Sequence, residues 1–302
     1  MSVTTREMTS TTHAAFLPTI WSKDTRNAIT FKEVLSKRVN TKFEAEMSIG
    51  RTLQIPIRAN YDTQTKTEGI SNTIHFQSQP GTTGSGTNFQ SITISTYEYA
   101  AALLNAVVAA QSNYEERKNI ADGLGYALMR GVEVSISNLF QSFSQITGAL
   151  GAEPDDAVLR RSWQFLADAA ADEGDTSWIW SPGAVAALFG NDKFSSKDFI
   201  NKPVIESATL PMLYAAPSFR SNLLRIPASG QSDCALLHRE AVILIRQILP
   251  TVRQQFVLNN LSDGVVAYDL YNASEAIWAA ETPPTDSDPT PGDFGAVLIR
   301  AN

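Results

Sequence analysis

The sequence predicts an α+β fold with extended segments projecting from its core, on three observations. Apolar residues recur at steps of four from Ile120 through Leu124, Leu128, Val132 and Ile136 to Phe140, which marks one long helix. Two alternating apolar runs flank a polar stretch rich in Thr, Ser and Gly, which marks a long hairpin. Beyond residue 148, helical and strand-like runs alternate. With 302 residues and 43% hydrophobic content, the chain can bury a sizeable core in one large domain or two smaller ones.

Charge is distributed unevenly. The net formal charge is -7, yet residues 1–60 carry nine Lys/Arg against five Asp/Glu, so a basic N-terminal part precedes an acidic body. An acidic chain does not bind nucleic acid over its whole surface. The lone cysteine, Cys234, rules out an internal disulfide framework and fits a reducing cytoplasm. The first residues have no apolar signal core, and the most apolar stretch, Ala100 to Ala110, is short and broken by Asn105, so neither a signal peptide nor a membrane span is expected.

Taken in order, residues 1–12 are polar and Thr-rich and read as an extended arm. Leu17-Pro-Thr-Ile-Trp-Ser22 leads to Ile29, Phe31, Val34, Leu35 and Val39 among Lys32, Lys37, Arg38 and Lys42, a pattern that predicts a short basic amphipathic helix. Leu53, Ile55 and Ile57 alternate as in a half-buried strand, with Pro56 marking an edge, and a partner strand is expected from Phe89 to Tyr97. Such a hairpin has little to pack on within its own subunit, so a neighbouring copy is the expected support. The long helix is expected to start at the capping pair Ser112-Asn113 and to run to about Ile146, roughly 50 Å at about 1.5 Å per residue. Gly123, Gly125 and Gly131 suggest close packing or a bend.

Asp155 and Asp156 head a further helix ending near Gly174; Ser177-Trp-Ile-Trp180 is a strand, and Ser181-Pro182 opens a helix closed by Gly190. Cys234–Leu237 is a strand, Glu240–Leu249 a helical or extended run, and Val265–Tyr271 a late strand. A Pro/Asp-rich linker, 281–293, precedes a terminal strand at 295–300.

A search for chemistry returns little. Cys234 and His238 form the only thiol–imidazole pair, too few ligands for zinc and without a third orienting group for a nucleophile. Gly81-Thr-Thr-Gly-Ser-Gly86 lacks the Lys and Ser/Thr of a phosphate loop. No Gly-flanked nucleophilic serine turn is present. Asp155-Asp156 and Asp172-Glu173 fit helix ends and loops. Trp163, Trp178 and Trp180 read as core, since no Lys/Arg interleaves with them. No catalytic residue, metal site or cofactor is assigned.

The order of segments resembles that of tailed-phage major capsid proteins with the Hong Kong 97 (HK97) fold. The resemblance rests on Leu17-Pro-Thr-Ile-Trp-Ser22, Val39-Asn-Thr-Lys-Phe-Glu44, Thr52-Leu-Gln-Ile-Pro56, Ile92-Thr-Ile-Ser-Thr-Tyr-Glu-Tyr99 and Ala109-Ala-Gln-Ser-Asn-Tyr114. It continues in Trp178-Ile-Trp-Ser-Pro-Gly-Ala-Val-Ala-Ala-Leu188, Ala235-Leu-Leu-His-Arg-Glu-Ala-Val-Ile-Leu244 and Gly264-Val-Val-Ala-Tyr-Asp-Leu-Tyr-Asn-Ala273, and so covers most of the chain.

The resemblance implies an N-terminal arm (1–43), an extended β-hairpin loop (44–96), a peripheral domain with the spine helix (97–147 and 249–279), an axial domain (148–248) and a C-terminal tail and strand (280–302). It implies self-assembly into hexamers and pentamers of an icosahedral shell that matures as double-stranded DNA enters. The expected partners are copies of the chain itself, a scaffolding protein (a separate one, since the arm starts almost at Met1), a portal protein, in some members a decoration protein, and packaged DNA held without sequence specificity. The expected location is the virion, after assembly in the host cytoplasm. Some relatives cross-link through Lys and Asn, and nothing here assigns such a pair. Basic and aromatic residues of the arm and hairpin, namely Trp21, Lys32, Arg38, Arg51, Arg58, Phe76 and Phe89, are the expected inter-subunit contacts. Two alternatives stand beside this reading: an encapsulin-like nanocompartment shell, which shares the fold, and a soluble α+β hydrolase using Cys234 or a carboxylate.

Overall fold

The computed structural model describes residues 30–57, 89–105, 116–169, 173–191, 212–228, 230–257, 262–279 and 295–301, with a few isolated positions between them. Strands β1 (Thr52–Pro56) and β2 (Phe89–Thr93) form an antiparallel pair; β3 (Thr96–Asn105) leads toward helix α1 (Glu116–Leu139). Then come β4 (Gln145–Gly148), α2 (Asp156–Asp168), β5 (Thr176–Trp180), α3 (Pro182–Phe189), β6 (Ser218–Arg220) and β7 (Ser232–His238). Among the described residues the last part is mostly strand: β8 (Val242–Val257), β9 (Ser262–Glu275), the short pair β10 (Trp278–Ala279) and β11 (Pro291–Gly292), and β12 (Ala296–Ala301).

Two sheets organise the chain. One is an antiparallel three-stranded sheet in the order β3-β9-β8, crossed on one face by α1; the other is mixed and five-stranded, in the order β4-β12-β7-β5-β6. The terminal strand β12 occupies an inner place, antiparallel to β7 and parallel to β4. Its Ala-Val-Leu-Ile run is apolar on both faces, as a strand covered on both sides must be. Helix α2 covers β12 and β4, and α3 packs on β7. One apolar core joins the two sheets: Val132 and Ile136 of α1 and Phe140 of the turn after it share a cluster with Leu236, Leu237, Val297 and Ile299, and with Val242 and Leu244 of β8.

Local chemistry fixes the helix ends. The Asp155 carboxylate accepts the Val158 N–H at 2.8 Å, Ser181 Oγ accepts the Ala184 N–H at 3.1 Å ahead of Pro182, and Gly190 closes α3. Trp178 and Trp180 are fully buried and stacked at 5.3 Å, with Trp178 Nε1 donating to the Leu213 carbonyl. Gly148 ends β4 at φ +72°, against the Arg300 backbone, where a Cβ would collide.

Several expectations need correction. The arm helix is absent: between residue 30 and Thr41 the chain is turn and coil, and a short 3-10 helix follows at Lys42–Met47. The amides of Val34, Leu35 and Ser36 bond the Glu133 side chain instead of helical carbonyls, while Leu35 and Val39 enter the core. The Phe89–Tyr97 strand divides after Thr93, and Tyr97 joins the other sheet opposite Leu270. Helix α1 stops at Leu139, so its 24 residues span about 36 Å. A 3-10 turn follows, and Ile146 lies in β4, 43% exposed. The second helix ends at Asp168, short of Gly174. Of the three helix glycines only Gly131 is closely approached, by Glu98. Of the Glu240–Leu249 run, left open between helix and strand, Glu240 and Ala241 end a 3-10 turn and the rest is extended, within β8. The expected start of the long helix at Ser112-Asn113 lies outside the described residues.

Leu298 sits on β12 at 1% exposure. Leu298→Ala should lower unfolding free energy by roughly 2–5 kcal/mol, whereas Ile146→Ala should cost much less, both read by denaturant unfolding.

Candidate inter-subunit surfaces

The roots of the arm and of the hairpin are both built from identifiable contacts. Glu133, fully buried on α1, receives the N–H groups of Val34 (3.2 Å), Leu35 (2.9 Å) and Ser36 (2.9 Å), and the Ser36 hydroxyl lies 2.7 Å from its Oε1. A buried carboxylate is tolerated when donors surround it, and here the donors are the backbone of the arm root. Asn40 then exchanges backbone hydrogen bonds with Val242 and Leu244 of β8.

The hairpin root rests on a second apolar cluster. Ile92 and Ile94, with Leu53 and Ile55 behind them, pack on Ile243, Ile245, Ala276, Met47 and Phe43. Gln90, 7% exposed, donates to the Glu275 carbonyl and accepts the Ile277 N–H at 3.0 Å. The root of the hairpin therefore leans on its own subunit, contrary to the expectation that only a neighbour would support it. Residues 67–88 at its tip lie outside the described residues.

An apolar sheet face stands open to solvent. Along β3 exposure alternates, and Tyr97 (60%), Tyr99 (70%) and Leu103 (56%) point away from α1, with Tyr268 of β9 6.1 Å from the Tyr97 ring. Exposed aromatics in a row are unusual on an isolated subunit. The period-two spacing of Tyr97, Tyr99 and Leu103 was the available sequence signal for this face. Glu133 offered only a weak one, an acid beside the apolar stripe.

Of the expected contact residues, Trp21, Arg58 and Phe76 lie outside the described residues. Lys32 and Arg51 are exposed, and Phe89 is 39% exposed beside Pro56. Arg38 is half-buried with its guanidinium 3.7 Å from the Phe219 ring centroid, a contact within the subunit. Arg51 and Phe89 stand at opposite ends of the β1–β2 ladder, so these residues do not converge on one site.

Cys234 and His238 do not form a catalytic pair. The thiol is buried, which pushes its pKa up, and it accepts the Ser181 N–H at 3.4 Å; His238 Nδ1 accepts the Glu240 N–H. Among the described residues no group of three or more His, Cys, Asp or Glu is placed to hold a metal ion, and no helix is long and apolar enough to cross a membrane.

Glu133→Ala would leave the buried amides of Leu35 and Ser36, and the half-buried one of Val34, without this partner. It should destabilise the subunit by about 3 kcal/mol or more in denaturant unfolding and open residues 30–36 to limited proteolysis; Glu133→Gln, which retains one acceptor oxygen, should fall between the two.

No protein-family model matches the chain, and no curated protein does. Solved structures do. One from Mycobacterium phage Che8 is 18% identical, with a TM-score of 0.72 over 94% of this chain and 97% of that one. The capsid structure of cyanophage P-SCSP1u is 13% identical, with a TM-score of 0.73 over 96% and 94%. A virus-like particle from Pyrococcus furiosus is 11% identical, with a TM-score of 0.53 over 88% and 91%. At such identities the likeness is one of fold, and the chain has the mixed α+β, HK97-like fold of phage capsid structures.

Proposed function

We propose that this chain is the major capsid protein of a tailed bacteriophage, a structural subunit and not an enzyme, which assembles with copies of itself into hexamers and pentamers of an icosahedral head around double-stranded DNA. The observation that carries this reading is the end-to-end likeness to phage structures, which spans more than nine-tenths of both chains in each of the two reported. A fold match over a fragment would leave room for another activity; a match over more than nine-tenths of both chains leaves little.

The surfaces support the same reading. In a lattice, the open Tyr97–Tyr99–Leu103 face and the hairpin beyond Pro56 would be covered by sister subunits. Each contact of this kind is modest, and a closed shell adds many of them. We assign the three-stranded sheet with α1 to a peripheral domain and the five-stranded sheet to an axial domain, completed by β12. Trp21, Lys32, Arg51, Arg58, Phe76 and Phe89 remain the proposed contact residues of the arm and hairpin, with Arg38 held on Phe219 of its own chain. Scaffolding, portal and decoration proteins, and residence in the virion after cytoplasmic assembly, belong to the same proposal.

The likeness to the Pyrococcus virus-like particle favours a second reading, a nanocompartment shell around protein cargo. Co-purified enzyme instead of DNA would select it.

Expressed full-length chain should form closed shells in negative-stain electron microscopy. Deletion of Thr63 to Thr87 should leave a soluble subunit with native circular dichroism and no closed particles. A wild-type chain that stays monomeric at high concentration would sink the shell reading.

A further inference from the structure

Beneath α1 lies a polar layer whose charges are not balanced. Glu98 of β3 and Asp269 of β9 are directly opposed across the antiparallel ladder, and both belong to the face that α1 covers. Side chains opposed in this way have Cβ atoms about 5 Å apart. Asp269 is 1% exposed, and neither carboxylate oxygen has a hydrogen-bond partner among the described residues. Glu98 lies against Gly131 of α1 and accepts the Tyr271 hydroxyl; Tyr271 in turn lies 2.9 Å from Ser135 Oγ on the same helix.

The groups facing Asp269 can be named element by element. Glu98 comes from β3, Tyr271 from β9 itself and Arg246 from β8, while α1 contributes Gly131 and the Ser135 hydroxyl. Arg246 is the one cation of this set, and it is shared: its guanidinium lies 3.8 Å from Glu33 and also acts on Glu44. Glu133 on the same helix is taken up by the arm-root amides.

We propose that Glu98 and Asp269 are a proton-sharing pair that makes the seating of α1 on its sheet pH-dependent, tight when one proton joins the two carboxylates and strained when both are ionised. With the proton on Asp269, its O–H donates to Glu98 and the orphaned oxygens acquire a partner; without it, a buried negative charge faces a half-buried one.

Burial, and after it the Glu98 charge, pushes Asp269 up to about 6 from its ordinary 3.8, with Arg246 pulling the other way. Between those two pH values the folded chain binds more protons than the unfolded one, so this pair favours folding most in acid and loses that contribution as the pH rises through about 6. A displacement of about two units corresponds to at most about a hundredfold in the folding equilibrium.

The proposal concerns the subunit alone and holds whether or not it builds a shell. Its test is hydrogen-exchange protection of the α1 amides, corrected for intrinsic rate, in full-length protein between pH 5 and 8. Wild-type protection should fall by up to about tenfold across that range, most of it at the acid end, and Asp269→Asn, which keeps the hydrogen-bonding shape without the charge, should be flat. If Asp269→Asn does not fold, Glu98→Gln serves: its midpoint should move toward acid. A flat wild-type profile, or a wild-type slope retained in the variant that folds, would overturn the proposal.

Discussion

Burying a carboxylate is costly unless its lone pairs find donors, and Glu133 finds them in three consecutive amides and a hydroxyl from a segment about a hundred residues away. Much of the architecture hangs from this contact. It fixes the course of residues 34–36, so Leu35 and Val39 reach the common core and Asn40 pairs with β8. From there the 3-10 turn at Lys42–Met47 carries Phe43 and Met47 under the hairpin root. Residues 34–40 are thereby riveted to α1 and β8, and the hairpin root is seated on Phe43 and Met47.

The two sheets share one core and differ in what they cover. The five-stranded sheet buries β5, β7 and most of β12 on both faces, with α2, α3 and α1 supplying the lids. The three-stranded sheet has α1 on one face only, and the other presents Tyr97, Tyr99 and Leu103 to solvent. That asymmetry suits a subunit made to be covered by others, and the hairpin, held by its root, extends the same logic. Helix α1 thus carries two polar contacts on opposite sides, Glu133 with all the donors it needs from the arm root and, beneath Gly131 and Ser135, the opposed Glu98 and Asp269 with fewer.

Much of this fold was legible in residue order. The four-step stripe located α1, the Asp155 and Ser181-Pro182 signals located α2 and α3, and the Trp178–Trp180 and Cys234–Leu237 runs located two core strands. Misreadings arose where a long-range partner outbid local preference. The pattern around Phe31–Val39 satisfies a helix, yet its amides go to Glu133. Ile146 continues the stripe by spacing, yet pairing with Leu298 draws it into a strand. Phe89 to Tyr97 reads as one strand, yet β9 claims its second half.

By itself the sequence determined where the three helices lie, which runs form the core strands β5 and β7, and that no catalytic constellation is spelled out along them, because periodicity, caps and turn residues act over a few positions. Only the tertiary structure decided that the terminal strand lies inside the sheet, that the hairpin root rests on its own subunit, and that Glu98 faces Asp269. Those outcomes depend on residues far apart in the chain meeting in space, Ile146 with Leu298, Gln90 with Glu275 and Glu98 with Asp269, and pairing energies at such separations leave no trace in local spacing.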